Sequence, residues 1–276
     1  MIKKYCRRIA LAILLFGVPY AASELVVAER SFRVMMIPEA LKMTLTGHTW
    51  SHMWYLYLIL FLYLITPLLK KVLRVLPVWG VAAVMAVIFL GSSVAPFLNK
   101  VLDVNSIPVL PDGGVYFLYY LCGYFFAVRE VCVDKGRNVW LTAAVAVLAL
   151  GMILSRTLAG FSIQMAYNYP FTVLLAVLLF AAGWNGSIKK YRIPWQEAGA
   201  LSFAVYLVHP VYVNLLYKFV KITPFTVLEQ CGVQSVAAGQ AVLILLLAAF
   251  CLVVLALATA TAWVLRKIPV LRKYVL

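Results

Sequence analysis

Uncharged apolar runs alternate along the chain with short basic clusters. About eight runs are legible, close to Ile9–Val27, Met53–Leu69, Val78–Pro96, Gly114–Val128, Val139–Leu158, Pro170–Trp184, Gly199–Phe219 and Ala238–Leu265. A run of about 20 apolar residues crosses the hydrocarbon core of a bilayer as a helix. The pattern therefore predicts an all-α, polytopic transmembrane helical bundle of about eight spans. Pro170–Trp184 is short for a span. Pro19 and Glu24 interrupt the first run, and a carboxylate is costly in hydrocarbon, so Glu24 is expected to face a bundle interior or water.

The basic clusters fall unequally on the two sides that the runs define. One side holds Lys3, Lys4, Arg7 and Arg8; Lys70, Lys71 and Arg74; Arg129, Lys135 and Arg137; Lys189, Lys190 and Arg192; and Arg266, Lys267, Arg272 and Lys273. The other holds Arg30, Arg33, Lys42, Lys100, Arg156, Lys218 and Lys221. The richer side is expected to be cytoplasmic, which places both termini inside the cell. The longest outer segment, Ala28–Ser51, carries Arg30, Arg33, Glu39, His48 and Trp50. It reads either as an interfacial amphipathic stretch or as a recognition loop.

Composition agrees with this class. The chain has 276 residues, of which 65% are hydrophobic and 12% charged. A soluble domain of that size cannot bury so much apolar surface. In a soluble protein the net charge of +15 would point to nucleic acid, but here the basic residues flank the apolar runs, so no nucleic-acid partner is expected. Cys6, Cys122, Cys132, Cys231 and Cys251 form no CxxC pair. Cys122 and Cys251 lie inside apolar runs, where cysteine reads as a small buried hydrophobe. No long soluble domain or low-complexity tract interrupts the pattern, and a single integral-membrane domain over residues 1–276 is expected.

Candidate chemistry is sparse. The histidines are His48, His52 and His209. None stands in HExxH or a Cys/His cluster, so no metal is expected. The P-loop, GxSxG and strand-borne GxGxxG motifs of ATP-driven transport, serine hydrolysis and dinucleotide binding are missing. Paired broken helices in matching halves, a mark of transporters, are not seen. His52 opens the run HMWYLYLILFLYLITPLLKK and is either a solvated member of an aromatic belt or a residue at a site mouth, where its proton is exchangeable near neutral pH. His209 lies in LSFAVYLVHP. Pro210 frees a backbone carbonyl one turn back, near Tyr206 and Phe203, so His209 either faces a substrate cavity or bonds that carbonyl and holds a kink. Arg7 and Arg8 at the start of the first run are either positive-inside anchors or a clamp for phosphates arriving from the cytosol.

Several segments resemble the integral-membrane acyltransferase 3 family, which includes bacterial O-acetyltransferases of surface polysaccharides. HMWYLYLILFLYLITPLL resembles its H-hydrophobic-W-F-L…Y-L-x-x-P segment. LSFAVYLVHP is similar to its s-f-x-x-Y-L-x-H-P segment, YFLYYLCGYFFA (Tyr116–Ala127) to its aromatic-glycine helix, and Arg8-Ile9 to the end of its R-x-x-R-I motif. The spacing agrees along nearly the whole chain. Two departures stand out. The family carries two helices before the basic motif, and its proposed catalytic histidine lies there. This chain begins at the motif, so those helices are expected to be missing and no position matches that histidine. With Arg8 aligned, the first arginine of R-x-x-R falls on Tyr5.

The resemblance implies a multi-pass protein of the bacterial plasma membrane that moves an acetyl or other acyl group from acyl-CoA, acetyl-CoA above all, to a hydroxyl of a cell-envelope glycan or lipid-linked sugar. It favours His52 and His209 as cavity-lining residues, and these two are taken as the catalytic candidates. It implies Trp54 and Tyr63 as residues that shape the site and Tyr206 as a hydrogen-bond donor to the substrate; Glu24, read from its place in the first run, is a further substrate-binding candidate, and Arg7 and Arg8 at the basic inner rim are the acyl-donor candidates. A histidine of ordinary pKa near 6.5 suits removal of a hydroxyl proton. The alternative is a catalytically inactive family member serving as a membrane partner or exporter.

Overall fold

The computed structural model describes residues 2–111, 113–129, 137–157, 167–184, 195–231 and 236–275. Lys135, Lys189, Lys190, Arg192 and Cys132 lie outside the described residues. Among the described residues all regular structure is helical. The order is α1 (Ile2–Glu29), α2 (Met36–Leu45), a 3-10 turn (Ser51–Met53), α3 (Trp54–Val75), α4 (Val78–Phe89), a π turn (Leu90–Val94), α5 (Ala95–Leu102), α6 (Gly114–Arg129), α7 (Arg137–Thr157) and α8 (Pro170–Trp184). There follow α9 (Trp195–Asn214), a second π turn (Leu215–Val220), α10 (Pro224–Gln230), α11 (Val236–Leu265) and α12 (Pro269–Tyr274).

Five helical stretches are long and apolar enough to cross a membrane: Lys3–Glu29, Ser51–Val75, Val78–Leu102, Leu201–Gln230 and Gly239–Leu265. Shorter apolar helices, Gly114–Ala127, Val139–Gly151 and Pro170–Trp184, occupy the remaining predicted runs. The protein is thus a multi-pass, all-helical membrane protein. Apolar residues surround α11 on every side, as expected of a helix that meets lipid and protein alike. Cys122 is buried as expected, whereas Cys251 points outward from α11.

The chain forms two compact units, residues 1–64 with 192–276, and residues 65–191. In the first, Ile9, Ala12, Ile13 and Tyr20 of α1 meet Met53 and Leu56 around the start of α3, Ala204 and Leu207 of α9, Ala262 of α11 and Val275. One core thus joins segments from both ends of the sequence. Within the Ala28–Ser51 segment, α2 packs on α1 and buries Met36, Ala40 and Thr44, one residue per turn, as an amphipathic helix does. In the second unit, Val115, Leu118 and Cys122 of α6 pack with Val173 of α8, while Leu121 meets Leu73 and Val81. Thr66 and Tyr120 share a hydroxyl hydrogen bond of 2.6 Å there.

Candidate functional site

Proline inside a helix removes one donor, and the consequence at α9 is local and chemical. Pro210 has no N–H for the carbonyl of Tyr206. That carbonyl instead accepts a hydrogen bond from His209 Nδ1 at 2.8 Å. A carbonyl only accepts, so Nδ1 carries a proton in this bond, and in a neutral imidazole so bonded Nε2 is the acceptor nitrogen. The two roles open to His209 from sequence coincide, because the bond that caps the kink also fixes the tautomer a general base requires.

His52 lies beside it. The two imidazole centroids are 5.9 Å apart with the rings steeply inclined, at 73°. The 3-10 turn Ser51–Met53 holds His52, with Met53 N–H donating to the Trp50 carbonyl at 2.9 Å. From α9, the Tyr206 hydroxyl donates to the backbone carbonyl of His52. His52 Nε2 is buried with no hydrogen-bond partner among the described residues. A buried imidazole nitrogen left unpaired is costly and marks a position where a ligand polar group is expected.

Two aromatic residues complete the wall. Tyr20 of α1 stacks on Trp50 with centroids 4.3 Å apart and planes within 6°. The Tyr20 hydroxyl donates to the Leu207 carbonyl at 2.5 Å, which ties α1 to α9 just before His209. Together these groups border a cleft of about 990 Å³ that also takes in Ser23, Glu24, Asn214 and Lys218. Its size lies at the upper end of small-molecule sites, and its aromatic walls and scattered polar groups suit a hydroxylated ligand.

Of the residues expected at the site, His52, His209 and Glu24 line the cleft, and Tyr206 braces it through the His52 backbone. Trp54 does not line it. It is 47% exposed and stands edge-on to Tyr55 at 5.9 Å. Tyr63 packs near Tyr5, 5.9 Å between centroids, about 16 Å further along α3 than His52. Arg8 Nε donates to the Val275 carbonyl at 2.7 Å, and the Arg7 guanidinium lies 5.6 Å from the Tyr274 ring centre. These arginines therefore meet the C-terminal segment, at the end of the unit opposite the histidines. Tyr20 and Trp50 are wall residues that sequence reasoning did not assign to the site. The one local signal was their adjacency to Pro19 and to His52.

Tyr206→Phe isolates the brace. Loss of one hydrogen bond should lower stability by about 1 kcal/mol. Release of the His52 turn should slow turnover roughly ten- to a hundredfold, since small misplacements of catalytic groups are expensive. Thermal unfolding and kcat measured on the same preparation separate the two effects.

A family model described as an acyltransferase domain matches residues 1–264. No curated protein and no solved structure matches the chain.

Proposed function

The chain belongs to the acyltransferase 3 family, and on that premise we propose that it is an O-acyltransferase that moves an acetyl or longer acyl group from acyl-CoA to a hydroxyl of a cell-envelope glycan or lipid-linked sugar at the bacterial plasma membrane. Family membership and the apolar helices make it a membrane acyltransferase; the donor, the acceptor and the membrane are our reading. The observation that carries this reading is the hydrogen bond from His209 Nδ1 to the Tyr206 carbonyl inside a cleft shared with His52.

In the proposed reaction the acceptor sugar lies in the cleft, against the Tyr20–Trp50 stack and within reach of Glu24, Asn214 and Lys218. His209 Nε2 takes the hydroxyl proton as the oxygen bonds to the acyl carbon. The C–S bond then breaks, and the departing thiolate recovers a proton from the His209 imidazolium. His52 supplies the second polar ring, which orients the hydroxyl or steadies charge on the acyl oxygen. Direct transfer needs no serine or cysteine nucleophile.

The test is transfer of label from radiolabelled acetyl-CoA to lipid-linked sugars by the full chain in nanodiscs. His209→Ala should lower the rate by about 10²–10⁴, and His52→Ala should also lower it. Wild-type rates in both variants would sink the assignment of the cleft. A folded wild type that transfers no acyl group would instead favour the non-catalytic membrane partner or exporter.

A further inference from the structure

We propose that the basic cavity between the start of α9, the end of α11 and α12 binds the phosphate-bearing end of the acyl donor. The proposal rests on the acyl-CoA reading above and concerns residues that the reading does not use.

The cavity, about 660 Å³, is lined by Arg266, Lys267, Arg272 and Lys273, with Trp263 and the single acid Glu197. Four cations against one carboxylate leave a strong positive excess in one concavity. Arg266 shows that this charge is not satisfied internally. Its Nη1 reaches the Glu197 carbonyl oxygen only at 3.4 Å, and its Nε is buried without a partner among the described residues. A buried guanidinium N–H facing no acceptor is the group that a phosphate oxygen completes, because guanidinium–phosphate bonds are charge-assisted and directional. Lys267 sits over the Trp263 ring, its Nζ 3.4 Å from the centroid, so the cations already line an aromatic face. The volume exceeds what one phosphate needs and is in the range for a nucleotide.

Position argues for the donor over other phosphates. Arg8, bonded to the Val275 carbonyl, belongs to the same end of the unit. α9 carries Glu197 at this cavity and His209 at the cleft, about 18 Å apart along the helix. The pantetheine arm of CoA matches roughly four residues of extended backbone and spans about 14 Å. With the diphosphate added, a donor anchored here presents its thioester at the level of the histidines. All four cations lie beyond the residues that the family model matches, so family membership assigns them no role.

The test is equilibrium binding to the full chain in phosphatidylcholine nanodiscs, which needs neither acceptor nor turnover. Wild type should bind CoA at least tenfold more tightly than pantetheine, which lacks the phosphates. Arg272→Gln with Lys273→Gln should weaken CoA at least tenfold and leave pantetheine unchanged, and Arg266→Gln should do the same from the buried side. Equal CoA affinity in wild type and both variants overturns the proposal while the acyl-CoA reading stands. Variants that keep CoA affinity but lose selective retention of phosphatidylglycerol show a lipid-headgroup site and also overturn it. A wild type that binds no CoA removes the donor reading together with this proposal.

Discussion

His209→Asn should fold as the wild type does and transfer acyl groups about 10²–10⁴ times more slowly. Asparagine places its amide N–H where Nδ1 stands, so the Tyr206 carbonyl left free by Pro210 keeps its donor and the kink of α9 is held. Nothing in asparagine replaces the Nε2 lone pair. His209→Gln reverses the exchange. Its amide reaches toward the Nε2 position but abandons the Tyr206 carbonyl, which should cost about 1–3 kcal/mol of stability in addition to activity. A role as a kink clamp alone predicts a different outcome, with asparagine fully active and only glutamine impaired. Single-turnover rates beside thermal unfolding in the same detergent decide between them. Wild-type turnover in His209→Asn would place the base elsewhere.

The helices were readable because lipid demands long apolar runs, and each predicted run meets a helix as far as the described residues extend. The site was readable only where chemistry is local. Pro210 and the carbonyl it frees lie within one turn of His209, so both roles of that histidine could be stated from the string LSFAVYLVHP. Trp54 shows a limit of motif reasoning. Two residues beyond His52 on a helical path, it faces away from it, since i and i+2 do not share a face. Tyr63 returns to nearly the same face as His52 but three turns on, too far along α3 to share the cleft. Tyr20 and Trp50 were invisible for another reason. Their stack requires α1 to lie against the turn before α3, and no periodicity encodes which helices are neighbours. Arg8 fails in the same way, because its partner is the Val275 carbonyl at the far end of the sequence.

The seat of α2 on α1 offers the largest structural effect. A Cβ added at Gly17 would stand 2.8 Å from Thr44 Cγ2, closer than carbon atoms approach. Thr44 cannot turn aside freely, since its hydroxyl donates to the Ala40 carbonyl at 2.8 Å and the residue is fully buried. Both helices carry small residues a turn apart, Gly17 and Ala21 on one, Ala40 and Thr44 on the other, which is how apolar helices approach closely in a membrane. Overpacking costs about 1–3 kcal/mol, while alanine in place of glycine returns about 1 kcal/mol of helix propensity. Gly17→Ala should therefore be destabilising by at most about 2 kcal/mol, and Gly17→Leu by more than about 3 kcal/mol. Thr44→Ser removes Cγ2 and keeps the hydroxyl, so Gly17→Ala in that background should become neutral or stabilising; unfolding of all four forms in mixed micelles closes the cycle. The consequence reaches the cleft. The Thr44 carbonyl accepts from the Tyr57 hydroxyl of α3 at 2.5 Å, so lifting α2 also releases the first turns of α3 next to His52. Acyl transfer in Gly17→Leu should fall with stability and recover only where the α2 contact does. A variant that unfolds early yet retains wild-type turnover at low temperature would show that the His52 turn is held by Tyr206 alone.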